Sequence, residues 1–236
     1  MKPWLIGCVV AGALATSDVA ADPVEPTSQL IDPVSLYGSE ILFDVYRNGD
    51  IVGFHSVRFS SSGPDLTVQS KFQLQIDFWF LTAFRYVYRS EERWRQEQLE
   101  GLNAMIDDNG KASALDVARE GSQLRIKSAA DDFTTYTPLF PTTHWNAGVL
   151  KQTRVLNTLT GRINQVRIEP GARQTVMTER GAIPATRYAY SGELETEVWY
   201  DDAGRWVKMR FEGRDSSMIE YVCRRCQGTR VSKDHK

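Results

Sequence analysis

Cys223 and Cys226 stand in the stretch YVCRRCQGTR, residues 221–230, at the C-x-x-C spacing that serves three different chemistries. A redox pair needs a thiol of depressed pKa, usually at a helix start where the dipole stabilises the thiolate. Here the motif follows a strand-like run, SMIEYVC, and the tail beyond it is too short to supply the rest of such a fold. Arg224 and Arg225 remain available to stabilise a thiolate. A structural zinc takes four ligands. Cys223, Cys226 and His235 offer three at a spacing that matches no finger, and His55 joins them only if the fold brings it there. The simplest outcome is a local disulfide, because removal of Cys8 with an export signal leaves an even number of cysteines. The expectation is a Cys223–Cys226 disulfide that stiffens the chain end, with no metal site and no cofactor.

His144, in PTTHWN (141–146), is the candidate catalytic residue, set beside Trp145, Asn146 and two threonine hydroxyls. A histidine near a helix start can act as a general base or orient a ligand. The plainer alternative has Thr142 and Thr143 capping a helix, Trp145 filling core and His144 bonding locally. No nucleophile or acid partner stands at a recognisable spacing. The carboxylate pairs Glu91–Glu92, Asp107–Asp108, Asp131–Asp132 and Asp201–Asp202 make no acid/base couple, because neighbours on a strand point to opposite faces. Most fall at predicted turns, where Asp is common for backbone reasons, and they are read as solvated. The sequence carries no phosphate-binding glycine loop, dinucleotide fingerprint or G-x-S-x-G elbow.

Large rings recur on strand-like runs. Phe72, Phe78, Phe80, Tyr86 and Tyr88 lie close together in sequence, and Trp145 and Trp199 follow further on. These seven are the candidate ligand-binding residues. A strongly curved sheet leaves few ways to fill its concave side, and barrel-like folds often keep an apolar cavity there for a hydrophobic molecule. The competing reading is that they are core.

The elements that must position these residues repeat with period two. From Leu66 to Phe80, Leu66, Val68, Phe72, Leu74, Ile76, Phe78 and Phe80 share one parity, with Thr67, Gln69, Lys71, Gln73, Gln75 and Asp77 on the other. One buried and one wet face give that pattern, and the length points to a curved or barrel-like sheet. Asn48-Gly49 joins two strand-like runs, and DDNGK (107–111), REGSQ (119–123) and Asp201–Gly204 mark further turns. The stretch 141–161 alone reads as helical, two to four turns ending at Gly161. The predicted fold is all-β, a strongly curved antiparallel sheet (half-barrel or barrel) of eleven to thirteen strands with one short helix. Residues 1–21 read as a signal peptide, 22–38 as an extended proline-bearing lead-in, 39–226 as a single β domain and 227–236 as a polar tail.

Composition narrows the class. The net charge of -2 lacks the basic excess of a nucleic-acid binder, and 11% aromatic residues argue against global disorder. Lys2, the apolar run WLIGCVVAGALA and the small residues Val19-Ala20-Ala21 form an export signal with cleavage expected after Ala21. LIGC (Leu5–Cys8) looks like a lipoprotein box, but such a box follows the hydrophobic core instead of opening it. The run is about half the ~20 residues of a spanning helix, so no transmembrane segment remains after cleavage. The polar second face of the long strand also argues against an outer-membrane barrel. The expected location is the periplasm.

Three longer pieces, FDVYRNGDIVGFHSVRF, PTTHWN with its trailing LNTLTGRINQVRI, and WYDDAGRWVKMRFEGRDSSMIEY, resemble an exported bacterial family known only as a domain of unknown function. The resemblance spans about residues 40 to 222 and implies a secreted, β-rich periplasmic protein. It transfers no activity, substrate or catalytic residue. The best functional expectation is therefore a carrier or binder of a hydrophobic, lipid-like molecule on the concave aromatic face. The alternatives are an envelope enzyme using His144, and an assembly or interaction protein with an envelope partner.

Overall fold

A computed structural model describes residues 32–78 and 81–228 of the chain. The signal peptide and its cleavage after Ala21, Cys8, most of the lead-in, Phe80 and most of the polar tail lie outside the described residues. Among the described residues, fifteen strands form one sheet. The first eight are β1 (Glu40–Arg47), β2 (Asp50–Ser62), β3 (Asp65–Phe78), β4 (Leu81–Arg95), β5 (Gln98–Asp108), β6 (Lys111–Glu120), β7 (Gln123–Ser128) and β8 (Asp132–Tyr136). The rest are β9 (Phe140–Pro141), β10 (Arg154–Leu156), β11 (Ile163–Thr178), β12 (Gly181–Gly192), β13 (Thr196–Asp201), β14 (Trp206–Glu212) and β15 (Met218–Arg225). The spatial order is β8-β7-β6-β5-β4-β3-β2-β1-β15-β14-β13-β12-β11-β10-β9. Two antiparallel meanders are thus zipped together where β1 pairs with β15, and among the described residues only the short β9–β10 contact is parallel.

Local sequence dictates most of these hairpins. Asn48 and Gly49 both take positive φ, 50° and 96°, as do Asn109 and Gly110 at 54° and 88°. That is the backbone of a tight hairpin whose twist matches the strands, and Asn-Gly adopts it with least strain. The long strand runs in register with β4 from Asp65↔Arg95 to Phe78↔Leu81, with one irregularity after Ile76.

The hydrogen-bonded ladder does not close among the described residues, since β8 and β9 are its two edges. The sheet nevertheless curls until its ends meet. Arg154 on β10 donates from Nη2 to Thr135 Oγ1 (2.9 Å) and to Tyr136 O (2.8 Å) of β8. The all-β antiparallel expectation therefore holds, as a curled, barrel-like sheet with an unladdered seam.

Two local expectations change. The stretch 141–161 contains a 3-10 helix of five residues, Ala147–Lys151, in place of a longer α-helix. Its N-cap is Asn146, whose Oδ1 accepts from Gly148 N at 2.8 Å, so Thr142 and Thr143 are not the caps. In the lead-in, α1 (Pro33–Tyr37) is capped by Asp32 and has Pro33 at its first position, where the missing N–H costs nothing. Tyr37 is buried in the core, so that part of the lead-in belongs to the packed body.

Candidate functional site

The concave face is set by strand parity. On β4, Tyr86, Tyr88, Ser90, Glu92 and Trp94 alternate inward, and Tyr88 stands opposite Phe72 while Ser90 stands opposite Ser70. On β2, His55 pairs with Phe72 and, on its other side, with Phe43. The PTTHWN segment then crosses this face. Its backbone folds tightly around His144, at φ 59°, so that Trp145 N donates to Thr143 O at 2.8 Å. This turn sends both side chains inward. The Trp145 ring meets Phe59 at 5.6 Å and Trp94 at 5.5 Å, and the His144 ring meets Tyr190 at 5.5 Å and Trp206 at 5.7 Å.

Hydrogen bonds fix the segment in place. Tyr37 Oη donates to Trp145 O (2.8 Å) and accepts from Trp206 N (2.8 Å). Tyr200 Oη donates to His144 O at 2.7 Å. Glu92, fully buried, accepts from Trp94 Nε1 (2.7 Å) and Trp145 Nε1 (3.1 Å) on one oxygen, Oε2. Burial pushes the Glu92 carboxyl up to about 6, against the pull of those two indole N–H groups and the nearby Thr143. The carboxylate is the anchor of the crossing segment.

Around this anchor many buried polar atoms have no hydrogen-bond partner among the described residues. Both ring nitrogens of His55, Nδ1 of His144 and the Tyr190 hydroxyl form one group. Ser70 Oγ, Ser90 Oγ, Tyr88 Oη and Glu92 Oε1 form the other, on β3 and β4. The Ser90 and Thr158 hydroxyls lie near enough to Tyr88 to influence its ionisation without completing a bond. The two groups are joined through His55, whose ring packs edge-on to Phe72 (6.0 Å), Trp206 (5.5 Å) and Tyr221 (5.3 Å). Burial, and then the neighbouring His144, pushes His55 down to about 3, and burial pushes His144 down to about 4. Both imidazoles are therefore neutral near pH 7. They can donate and accept hydrogen bonds, but they are weak bases.

The aromatic residues singled out in the sequence are only partly brought together. Phe72, Tyr86, Tyr88 and Trp145 do share the concave face, with Phe72 and Tyr86 edge-on at 5.9 Å. Phe78 is the last residue of β3. Trp199 is elsewhere. It pairs across the sheet with Arg187 and Lys208, its Nε1 donates to Gln174 Oε1 at 2.8 Å, and Lys208 Nζ and the Arg210 guanidinium lie over its ring at 5.1 and 5.8 Å. It is thus on the convex face, buried by cationic side chains, while Val198 and Tyr200 point inward. Glu92 is a second correction: it sits in mid-strand, wholly buried, where a solvated position was expected. Its parity with Tyr88 and Trp94 was the available signal. The same parity on β2 and β3 marks His55 and Ser70.

Two hollows in the described surface have no aromatic side chain in their lining. An open groove of about 440 Å³ is lined by Thr153, Gln165, Val166, Arg167, Ser191 and Gly192, and one of about 90 Å³ lies beside Ser113, Ser128 and Leu159. The space in front of the concave aromatics is occupied by Trp145 and His144.

Residues 43–224 match a family described as a domain of unknown function, DUF6134. This chain belongs to the DUF6134 family. The DUF6134 region runs from within β1 to within β15, holds the whole polar cluster and PTTHWN, and ends before Cys226. A crystal structure of a beta-barrel-like protein of domain of unknown function DUF1849 from Brucella abortus has the same fold, with a TM-score of 0.58 at 12% identity over 81% of this chain and 98% of the other. None of the curated proteins matches the DUF6134 chain in sequence.

Proposed function

We propose that this DUF6134 protein is exported to the periplasm and binds a hydrophobic, lipid-like molecule bearing uncharged polar groups on the concave face of its sheet. One observation carries the reading: eight buried side-chain atoms able to make hydrogen bonds have no partner among the described residues, and they line one face of the sheet among aromatic rings. A buried polar atom left unpaired costs about 1–3 kcal/mol, so a native interior seldom keeps several in one place without a ligand or ordered water to serve them. The aromatic walls supply apolar contact. The neutral His55 and His144, with the serine and tyrosine hydroxyls, favour an uncharged polar group over an ion.

In this reading PTTHWN is the resident occupant. A ligand larger than water displaces the Trp145 ring, and the seam between β8 and the β9–β10 pair, bridged by Arg154, gives access without breaking a ladder. The Cys223–Cys226 disulfide, whose sulfurs lie at bonding distance with Cα atoms 5.9 Å apart, braces the end of β15 in the oxidising compartment. The test uses a neutral fluorescent amphiphile, N-phenyl-1-naphthylamine, titrated into the full chain. Saturable 1:1 binding is expected, and filling the interior with Ser70→Leu/Ser90→Leu should abolish it while circular dichroism stays unchanged. Equal binding to the filled variant, or no binding to the wild type, overturns the reading.

A further inference from the structure

The curl of the sheet brings a carboxylate to the cysteine pair that lies far from it in sequence. Glu179, in the tight turn between β11 and β12, places Oε2 2.8 Å from Cys223 Sγ and 3.7 Å from Cys226 Sγ, and its Oε1 accepts the Cys226 N–H at 3.1 Å. The three potential ligand atoms lie within 4.8 Å of one another. A disulfide sulfur has no proton to donate and no charge to attract a carboxylate. A thiol has the proton, and a thiolate pair with a carboxylate has the charge to hold a cation.

The turn that carries the sulfurs is also held without help from an S–S bond. Thr178 Oγ1 donates to Gln227 Oε1 (3.1 Å) and Arg205 Nη1 donates to Gln227 O (2.9 Å), in addition to the Cys226 N–H bond to Glu179. Opening the disulfide therefore leaves both sulfurs beside the carboxylate. Cys223 and Cys226 are buried while Glu179 is exposed. A small ion reaches the sulfurs along the carboxylate, whereas a protein disulfide does not, which favours metal binding over thiol exchange.

We propose that the reduced pair and Glu179 form a three-ligand site for a thiophilic divalent cation such as Zn²⁺. Two sulfurs and one carboxylate oxygen suit the tetrahedral preference of that ion, with one position left open. A dithiol reductant opens the disulfide, giving two cysteine thiols and the reductant's own disulfide. Each thiol then releases one proton as its sulfur binds the metal. Oxidation and metal binding exclude one another at this site.

The experiment is Zn²⁺ titration of the full chain against a chromophoric chelator, on protein reduced with a dithiol and then freed of it, and on oxidised protein. One Zn²⁺ per reduced chain with release of about two protons is expected, and none on the oxidised chain. Glu179→Gln lies in an exposed turn and should weaken binding by at least about tenfold. With Co²⁺, the reduced chain should show sulfur-to-metal charge-transfer absorption that Cys223→Ser/Cys226→Ser removes. Equal binding by the oxidised and reduced chains, or by Glu179→Gln and wild type, overturns the proposal.

Discussion

Lowering the pH from 7 to 4.5 perturbs the concave cluster selectively. His55 and His144 keep folded-state pKa values of about 3 and about 4 against an ordinary 6.5, so as pH falls below 6.5 the unfolded chain takes up protons that the folded chain refuses. Stability contributed by these groups is present above 6.5 and is lost on the way down. Tenfold in proton affinity is about 1.4 kcal/mol, so each histidine removes about 2.5 kcal/mol by pH 4.5. Glu92 acts in the opposite sense. Its folded pKa of about 6 exceeds the ordinary 4.5, so its contribution is full below 4.5 and is lost as pH rises through about 6. Acidification to pH 4.5 returns about 1.6 kcal/mol through Glu92, leaving a net loss of about 3 kcal/mol. Urea unfolding followed by tryptophan fluorescence at the two pH values measures this. His55→Phe should cut the net loss to about 1 kcal/mol, and Glu92→Gln should deepen it to about 5 kcal/mol. A wild type equally stable at both pH values, or variants with the same pH dependence as wild type, would refute the burial argument.

Other consequences follow from single contacts. Tyr37→Phe leaves Trp145 O and Trp206 N unpaired in the interior and should cost about 2–3 kcal/mol in urea unfolding. Trp145→Ala should lose about 3–5 kcal/mol and increase uptake of an apolar dye, because it empties the space the crossing segment fills. Arg154→Ala should speed amide exchange at β8 and β10 with a stability loss of about 1–2 kcal/mol, read by hydrogen-exchange mass spectrometry. Cys223→Ser should cost only about 2 kcal/mol because the loop is short, and the oxidised wild type should weigh two hydrogens less than its reduced form.

Local information in the sequence was enough for the strands and turns. Period two gave the inward set of β3 and β4, and the Asn-Gly pairs gave two hairpins, because both depend on the chain within a few residues. What depends on the curl was not legible. Glu179 meets the cysteines, and Arg154 meets β8, only because a fifteen-strand sheet brings distant turns together. Trp199 misled because β13 is buried on both faces: Val198 and Tyr200 inside, and Trp199 outside beneath Lys208 and Arg210, so alternation no longer distinguishes the faces. The lead-in misled for a different reason. Its prolines read as extended chain, yet Pro33 behind Asp32 is a favourable helix start. Glu92 was discounted as half of an acidic pair, although Glu91 and Glu92 necessarily face opposite sides and only the first is paired with solvent-side Gln69.

A ligand held on the concave face would leave with the purified chain. Native mass spectrometry of the full chain recovered from the cells that produce it, followed by organic extraction, detects that ligand most directly. The expected result is a chain that carries one organic molecule, lost on denaturation and recovered in the extract as a hydrophobic compound with uncharged polar groups. A chain of polypeptide mass alone, with an extract no different from that of an unrelated protein purified in the same way, would contradict ligand binding.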